Sequence, residues 1–300
     1  MPEPSKGRAA YLAYRSIASI VQALPHSVTS MLATVSGLAM SEIARSRRPI
    51  VRANMRRVLG PQASERQIEK AVVEAFDSYA HYYVESARLV GMRPREVLRR
   101  FSIEGFEPVR AALDERRGAI MALPHLGSWE IGGRWLTLEG YPMTTVVEPL
   151  QPPELFEFFK EQRSALGLKI VPLGPGATGQ LMETLREGRL VGLVADRDLV
   201  GNGIEVEFFG ERTTLPGGPA VLALRTGAPL FPAAVYQRPG GRYHGVIRPP
   251  LCIERKGRLR EDVELITADL AREFEELIRA APTQWHMFQP NWPGDRERYG

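Results

Sequence analysis

His125 and Glu130 are two residues whose types and spacing could carry out proton-transfer chemistry. They lie in the segment P-H-L-G-S-W-E, residues 124–130. The apolar run Ala119–Leu123 precedes this segment and predicts a strand that is buried on both faces. A carboxylate beside an imidazole fixes its tautomer and stabilises the imidazolium that forms when the other nitrogen accepts a proton. We therefore predict that His125 is a general base and that Glu130 is its charge partner.

The local structure between the two residues decides whether they can meet. On one continuous helix, residues five apart point about 140° away from each other. Ser128 predicts the N-cap of a helix that continues through Leu136, so a turn separates His125 from Glu130 and can bring their side chains together. The alternative is a loop histidine beside a glutamate that favours the positive end of a helix dipole.

Further charged residues lie at the ends of predicted strands. Glu148 follows the predicted strand 144–147, and the predicted strand 190–195 is followed by Asp196 and Arg197. The carboxyl ends of parallel strands share one edge of a sheet, and ligands bind at that edge. We expect these side chains to gather around His125.

The chain of 300 residues has ordinary globular composition, with 44% apolar and 25% charged residues. Strand and helix patterns alternate after residue 140, which predicts an α/β fold with a central, mostly parallel or mixed sheet flanked by helices. The runs 230–236 and 243–247 predict a hairpin, 205–209 an edge strand and 261–280 a long final helix. We predict one structural domain overall, made of an N-terminal helical segment for membrane association, residues 1–100, and an α/β core, residues 101–300.

The N-terminal segment is basic and amphipathic. Residues 1–60 hold nine Lys or Arg and two acidic residues, a net charge of +7 in a chain whose total is +4. Residues 9–24 and 27–44 have the pattern of two helices, which could lie in a membrane interface or pack on the core. An anionic membrane surface is the favoured partner, because no nucleic-acid motif accompanies the charge. Solvated arginines on a helix face are the alternative.

Several classes of site are poorly supported. No stretch is long and apolar enough for a spanning helix, and Arg15 interrupts a signal-peptide pattern, so we expect a cytoplasmic protein. The five histidines lack metal-ligand spacing, and no phosphate-binding glycine motif is present, so we expect neither a metal nor a cofactor. The residues around Ser128 do not fit a nucleophile elbow. Cys252 is expected to be a small core side chain.

A base with an orienting carboxylate and no protein nucleophile suits a reaction whose nucleophile is a substrate hydroxyl. Acyl transfer from an activated thioester to an alcohol is such a reaction, because the thioester already has a good leaving group. The enzyme has to position the two substrates, deprotonate the alcohol and stabilise the developing oxyanion.

Several ordered sequence blocks resemble the bacterial lipid A late acyltransferase superfamily. They are P-H-L-G-S-W-E, V-V-E-P-L, R-S-A-L-G and V-A-D-R-D-L-V-G-N-G-I-E-V-E-F-F-G. Together with Q-W-H-M-F-Q-P-N-W, residues 284–292, they are most similar to actinobacterial phosphatidylinositol mannoside acyltransferases. The resemblance implies a glycerolipid acyltransferase-like fold and a peripheral enzyme at the cytoplasmic face of the cell membrane. It also implies acyl-CoA as the donor and a mannose hydroxyl of a glycolipid as the acceptor.

The resemblance also implies roles for individual residues. His125 and Glu130 match the family's base and its charge partner. The remaining matches, which we expect to bind substrate or to lie near the reacting groups, are Glu148, Arg163, Asp196, Arg197 and His286.

Structural roles remain open for some of these residues, and the activity has alternatives. Arg163 near a helix C-terminus is favourable by the dipole alone, and Asp196 with Arg197 could be a pair that stabilises the fold. The alternatives for the whole protein are acyl transfer to another glycolipid or lipid A-type acceptor, ester or thioester hydrolysis, and lipid binding at a membrane without chemistry.

Overall fold

The computed structural model describes residues 15–16, 18–22, 24 and 26–299. The helices among them are α1 His26–Ile43, α2 Arg48–Leu59, α3 Glu65–Leu89, α4 Pro94–Arg100, α5 Glu107–Asp114, α6 Trp129–Leu138, α7 Pro153–Ala165, α8 Ala177–Arg186, α9 Gly218–Thr226, α10 Leu259–Arg279 and α11 Pro293–Tyr299, with a 3₁₀ turn at Pro282–Gln284. The strands are β1 Phe101–Glu104, β2 Ala119–Leu123, β3 Met143–Val147, β4 Lys169–Pro172, β5 Leu190–Val194, β6 Ile204–Phe208, β7 Glu211–Leu215, β8 Leu230–Arg238 and β9 Arg242–Ile247.

A seven-stranded sheet forms the centre of the protein, in the order β1-β9-β8-β2-β5-β3-β4. The five strands from β8 to β4 run parallel, and β9 returns antiparallel to β8 as the second strand of a hairpin. β1 pairs parallel with β9. All five residues of β2 are buried, which explains why its sequence is continuously apolar. The predicted α/β class, the mixed sheet and the hairpin are confirmed.

Helices cover both faces of the sheet and bury a separate apolar layer on each. One layer joins α2, α3, α8, α9 and α10 to the sheet, and the other joins α4, α5 and α6 to the opposite face. Because side chains alternate along a strand, neighbouring residues of β2 face different layers: Ala122 lies in the first and Met121 in the second. The first layer includes residues before position 100, and the division of the chain at that position stays a prediction.

Helix α3 has a clear local reason to begin where it does. Ser64 accepts a hydrogen bond from the backbone N–H of Gln67, whose side chain in turn accepts from the backbone N–H of Ser64. This capping box satisfies two N–H groups at the helix end. The helix then runs for 25 residues and brings Tyr82 to the carboxyl edge of the sheet.

The structure corrects two expectations. The expected edge strand 205–209 does not join the central sheet, because β6 pairs antiparallel with β7 in a separate two-stranded sheet. Cys252 is exposed, since it lies in the irregular segment between β9 and α10 and not in a strand.

The N-terminal prediction is tested only in part. Half of the expected helix 9–24 lies outside the described residues, and residues 15–16 and 18–22 are helical, while the second helix is present as α1. Among the residues that the structure describes, no helix combines the length and the apolar character needed to cross a membrane.

The C-terminal segment is anchored by two buried tryptophans. The ring of Trp292 stacks on Phe208 at 5.9 Å and meets Trp285 edge-on at 6.3 Å. The Arg57 guanidinium lies 4.2 Å from the centre of the Trp292 ring. The segment that follows α10 is therefore part of the core.

We predict that Trp292→Ala lowers the free energy of unfolding by about 3–5 kcal/mol, because it removes a large buried ring and leaves a cavity. Urea unfolding monitored by circular dichroism measures the loss. Leu265→Ala is the control, because that side chain is 60% exposed and its loss should change stability by no more than about 0.5 kcal/mol. Equal losses in the two variants would contradict the anchoring role.

Candidate active site

The imidazole of His125 is paired with Asp196. Its Nδ1 lies 2.5 Å from Oδ1 of Asp196. The His125 side chain is 34% exposed, whereas the Asp196 side chain is fully buried. The pair thus has a buried acidic end and an open end at the imidazole.

The register of the sheet explains this pairing. β2 and β5 are parallel neighbours, and Leu123 lies opposite Val194 at their carboxyl ends. The backbone N–H of Ala195 donates to the Leu123 carbonyl at 2.8 Å, which continues the pairing one step beyond the strands. His125 and Asp196 each lie two residues past the end of their own strand, so they arrive side by side.

Asp196 receives two further donors. Its Oδ2 accepts the backbone N–H of His125 at 3.0 Å and the indole N–H of Trp285 at 2.7 Å. Burial alone would raise the pKa of Asp196, but the charge and hydrogen bonds of His125 and the Trp285 bond outweigh it and hold the pKa below its ordinary value. The carboxylate is therefore ionised at neutral pH.

This arrangement assigns the protons of the imidazole. Because both oxygens of an ionised carboxylate only accept, Nδ1 of His125 has to carry the hydrogen that it shares with Asp196. Nε2 is then left with a lone pair, and that atom can take a proton from a bound hydroxyl. The buried negative charge stabilises the imidazolium that results.

The predicted pairing of His125 with Glu130 is wrong for this structure. Glu130 is almost fully buried, and its Oε1 accepts hydrogen bonds from the Tyr82 hydroxyl at 2.7 Å and from Arg163 at 3.2 Å. These partners belong to α3 and α7. Glu130 therefore does not make the bond to the His125 imidazole that its predicted catalytic role requires.

The path of the chain after His125 is the physical reason. Gly127 adopts a φ of +61°, and a Cβ there would lie 1.9 Å from the carbonyl oxygen of Val235. Gly127 and Ser128 both pair with Val235 of β8, so the chain moves toward β8 and away from β5 before α6 begins. Ser128 occupies the N-cap position without a capping bond, and its hydroxyl accepts from Gln237 instead.

Arg163, Glu130 and Tyr82 form a cluster that joins three helices. The Arg163 guanidinium lies 5.2 Å from the ring centre of Trp129 and 5.6 Å from that of Phe159. Burial, followed by the charge of Glu130, raises the pKa of Tyr82, so this hydroxyl stays a donor to the carboxylate. The cluster fixes the first turn of α6 next to the His125 segment.

Glu148 and Arg197 form a second ion pair, at 3.0 Å. Glu148 follows β3 and Arg197 follows β5, so the two residues meet across neighbouring strand ends. Arg197 also donates to the side chain of Gln289. Asp196 and Arg197 therefore do not form a pair with each other: the first holds His125 and the second holds Glu148.

His286 touches the His125 segment through its backbone. Its N–H donates to the His125 carbonyl at 2.7 Å, and its Nε2 lies 3.0 Å from the Ser78 hydroxyl oxygen. Burial, followed by the charge of His125, lowers the pKa of His286 to about 3. The His286 imidazole is therefore neutral at physiological pH and adds no positive charge next to His125.

Sequence reasoning did not assign roles to three residues of this site. Trp285 and Asn291 bond the side chain and the carbonyl of Asp196, and Tyr82 bonds Glu130. The block Q-W-H-M-F-Q-P-N-W contains the first two, but nothing in its composition indicates a carboxylate 89 residues earlier. Tyr82 lies close to Tyr79 and Tyr83 on α3, and nothing in the sequence distinguishes it from these neighbours.

An apolar cavity of about 30 Å³ lies between α6 and the sheet. It is lined by Phe101, Ile103, Met121, Leu123, Trp129, Gly132, Gly133, Leu136, Met143, Ala233, Ala234, Val235, Gly245 and Ile247. Two of the lining residues, Leu123 and Trp129, flank the segment that carries His125. The space holds about two water molecules, so a larger apolar ligand has to widen it.

The chain is similar to known acyltransferases along nearly its whole length. The family model for bacterial lipid A biosynthesis acyltransferase matches residues 7–293. A phosphatidylinositol mannoside acyltransferase of Mycolicibacterium smegmatis is 36% identical over 296 residues, which cover 97% of this chain and 94% of the relative. Another of that name, from Mycobacterium tuberculosis, is 39% identical over 251 residues, or 82% of this chain and 77% of the relative. A lipid A biosynthesis lauroyltransferase of Escherichia coli K12 is 24% identical over 274 residues, or 89% and 85%.

We predict that Asp196→Asn destabilises the protein in a pH-dependent manner, because the amide replaces one of the two acceptor oxygens with an NH2 group, which cannot accept from the donors on that side. A carboxylate whose folded pKa is lowered contributes stability above its unfolded value of about 3.9, and this contribution is lost as the pH falls through the folded value. The difference in free energy of unfolding between parent and variant should therefore shrink below about pH 4.

Urea unfolding at a series of pH values measures this difference. Asp269→Asn is the control, since that side chain is 41% exposed and pairs with Arg272 at the surface. Its effect should stay within about 0.5 kcal/mol throughout. A loss for Asp196→Asn that is constant from pH 7 to acid would contradict the ionised, buried carboxylate.

Proposed function

The chain belongs to the bacterial lipid A biosynthesis acyltransferase family, and we propose that it transfers a long fatty acyl chain from acyl-CoA to a mannose hydroxyl of a phosphatidylinositol mannoside. The observation that carries the proposal is the His125–Asp196 pair, with its open Nε2 at the carboxyl edge of the sheet. The two mycobacterial relatives support the choice of acceptor.

The proposed step uses His125 as the general base. Nε2 takes the proton of the acceptor hydroxyl while the hydroxyl oxygen attacks the thioester carbonyl. The carbon–sulfur bond then breaks, the acyl chain stays on the acceptor oxygen, and the imidazolium returns its proton to the thiolate that leaves. Asp196 holds the ring and stabilises the imidazolium. Because the acceptor hydroxyl is the nucleophile, the reaction needs no nucleophile from the protein.

The role proposed for Glu130 is to position the site and not to relay charge. Its bonds to Tyr82 and Arg163 hold the first turn of α6, which starts four residues after His125. Glu148 and Arg197, which pair at neighbouring strand ends, and His286, which bonds the His125 carbonyl, are proposed to contact or orient substrate. The Glu148–Arg197 pair lies at the more exposed side, since the Glu148 side chain is 45% exposed.

The apolar cavity beneath α6 is the proposed place for the acyl chain. Its lining is apolar throughout, and it begins beside the segment that carries His125. Because the cavity is small in this structure, a long chain has to displace the side chains between α6 and the sheet. The thioester would then remain at the cavity's end, close to Nε2.

Peripheral attachment to the cytoplasmic face of the cell membrane is part of the proposal. Four apolar side chains of α1 are exposed at helical spacing, namely Val28, Met31, Leu32 and Val35. Such a stripe is typical of a helix that lies in a membrane interface. Exposed Arg45 and Arg47 follow the helix and favour an anionic surface.

We predict that His125→Ala lowers turnover by about 10²–10⁴-fold, because the general base is lost. The measurement is acceptor-dependent formation of acylated phosphatidylinositol mannoside by mass spectrometry, with palmitoyl-CoA and palmitoyl-acyl carrier protein offered separately as donors. His244→Ala is the control, since His244 lies on β9, two strands from β2, and bonds Ser102.

A folded His125→Ala protein with near-parental turnover would refute the base. Release of free fatty acid by the parent protein in the presence of acceptor would indicate hydrolysis instead. Turnover with the carrier-protein donor alone would leave the base intact and correct the donor.

We predict that Ala233→Val shifts the preferred donor to shorter chains. Ala233 faces α6 and lines the cavity, so two added methyl groups shorten the space that an acyl chain can fill. The ratio of turnover with palmitoyl-CoA to turnover with lauroyl-CoA should fall about tenfold or more. Ala122→Val, on β2 and facing the opposite side of the sheet, is the matched control, and an equal fall there would contradict the cavity's role.

A further inference from the structure

Two apolar side chains are exposed at the tip of the loop between β5 and β6, residues 198–203. Leu199 is 42% exposed and Val200 is 66% exposed. Single exposed apolar residues are common on protein surfaces. Here two adjacent ones lie in a loop that begins two residues after Asp196, the partner of His125.

Hydrogen bonds hold this loop in one conformation. The Asp198 carboxylate accepts the backbone N–H groups of Val200 at 3.2 Å, Gly201 at 2.8 Å and Gly203 at 2.9 Å. It also accepts the Thr214 hydroxyl at 2.9 Å, which ties the loop to β7. The apolar tip is therefore presented by a braced turn.

Gly203 allows the turn to close tightly. A Cβ at this position would lie 2.8 Å from Oδ2 of Asp198 and 2.8 Å from the Leu215 carbonyl oxygen. The backbone thus packs against the carboxylate on the inner side of the loop, and Leu199 and Val200 are left on the outer side.

Basic side chains lie near the same surface. Arg197, at the start of the loop, bonds Gln289, and Arg47, after α1, donates to the carbonyl of the preceding residue, Phe288, at 3.3 Å. Arg197, the residue before the loop, and Arg47 in the turn after α1 therefore contact consecutive residues of one segment. Arg45 and Arg47 are exposed there, and the nearby acidic Glu148 is paired with Arg197.

Apolar side chains flanked by exposed arginines fit the interface of an anionic bilayer, where the apolar groups enter the headgroup boundary and the cations meet lipid phosphates. We propose that loop 198–203 inserts Leu199 and Val200 into an anionic lipid surface, as a membrane contact separate from α1. The inference rests on the proposed function for the lipid nature of the substrates. It places the exposed imidazole of His125 toward the bilayer, so a lipid acceptor reaches Nε2 without leaving the membrane.

A fluorescent probe at position 200 tests the inference independently of catalysis. Val200→Cys is made in a Cys252→Ser background, because Cys252 is the single cysteine and is exposed, and is labelled with an environment-sensitive dye. Vesicles of phosphatidylcholine and phosphatidylglycerol in equal parts should shift its emission to the blue, and brominated lipids should quench it. Glu187→Cys, labelled in the same way, is the control at the opposite end of β5, and its emission should not change.

A second variant measures the contribution of the tip. Leu199→Ser combined with Val200→Ser should weaken vesicle binding by about tenfold while turnover with a detergent-dispersed acceptor stays unchanged. The inference is overturned if the label at position 200 does not respond while the protein sediments with vesicles, because α1 alone would then bind them. It is also overturned if the label responds without lipid through self-association. Absence of turnover with any acceptor would refute the proposed function and leave the probe result valid.

Discussion

The buried carboxylate of Asp196 is the interaction on which the candidate site depends. A carboxylate without water has to find other donors, since an unpaired buried charge costs several kcal/mol. Here the imidazole of His125 bonds Oδ1, and the backbone N–H of His125 and the indole N–H of Trp285 bond Oδ2. The same contacts therefore satisfy the charge, orient the ring and join the C-terminal segment to the end of β2.

An aspartate suits this position because its reach is short. Oδ1 bonds the ring and Oδ2 bonds the backbone of one residue, His125, which lies directly across from it at the end of the neighbouring strand. The longer side chain of a glutamate would need a greater separation between the strand ends or a folded rotamer. Asn291 donates a hydrogen bond to the Asp196 carbonyl and so also holds the backbone at this position.

The sequence was sufficient to predict the strand ends but not their pairing. His125, Glu148 and Asp196 were all expected at one edge, because apolar runs mark buried strands and the carboxyl ends of parallel strands coincide. Which of them touch depends on the order β2-β5-β3, and this order is set by packing between distant segments.

Closeness in sequence was misleading for Glu130. The turn at Gly127 carries α6 toward β8, so the carboxylate five residues away meets Arg163 and Tyr82, whereas one 71 residues away meets the imidazole. Trp285 illustrates the same limit, because a donor to a buried carboxylate looks like any other core aromatic residue in the sequence.

The His125–Asp196 pair and the Glu130–Arg163–Tyr82 cluster are held by different elements of the fold. His125 is held by β2, β5 and the C-terminal segment, none of which has to move when α6 shifts. Trp129 and Glu130 belong to α6, which forms one wall of the apolar cavity. A cavity too small for a long chain can widen by displacing this wall against the Arg163 and Tyr82 bonds while the base stays in place. In the proposed reaction, this separation lets the acyl chain enter while Nε2 of His125, the proposed base, stays in place.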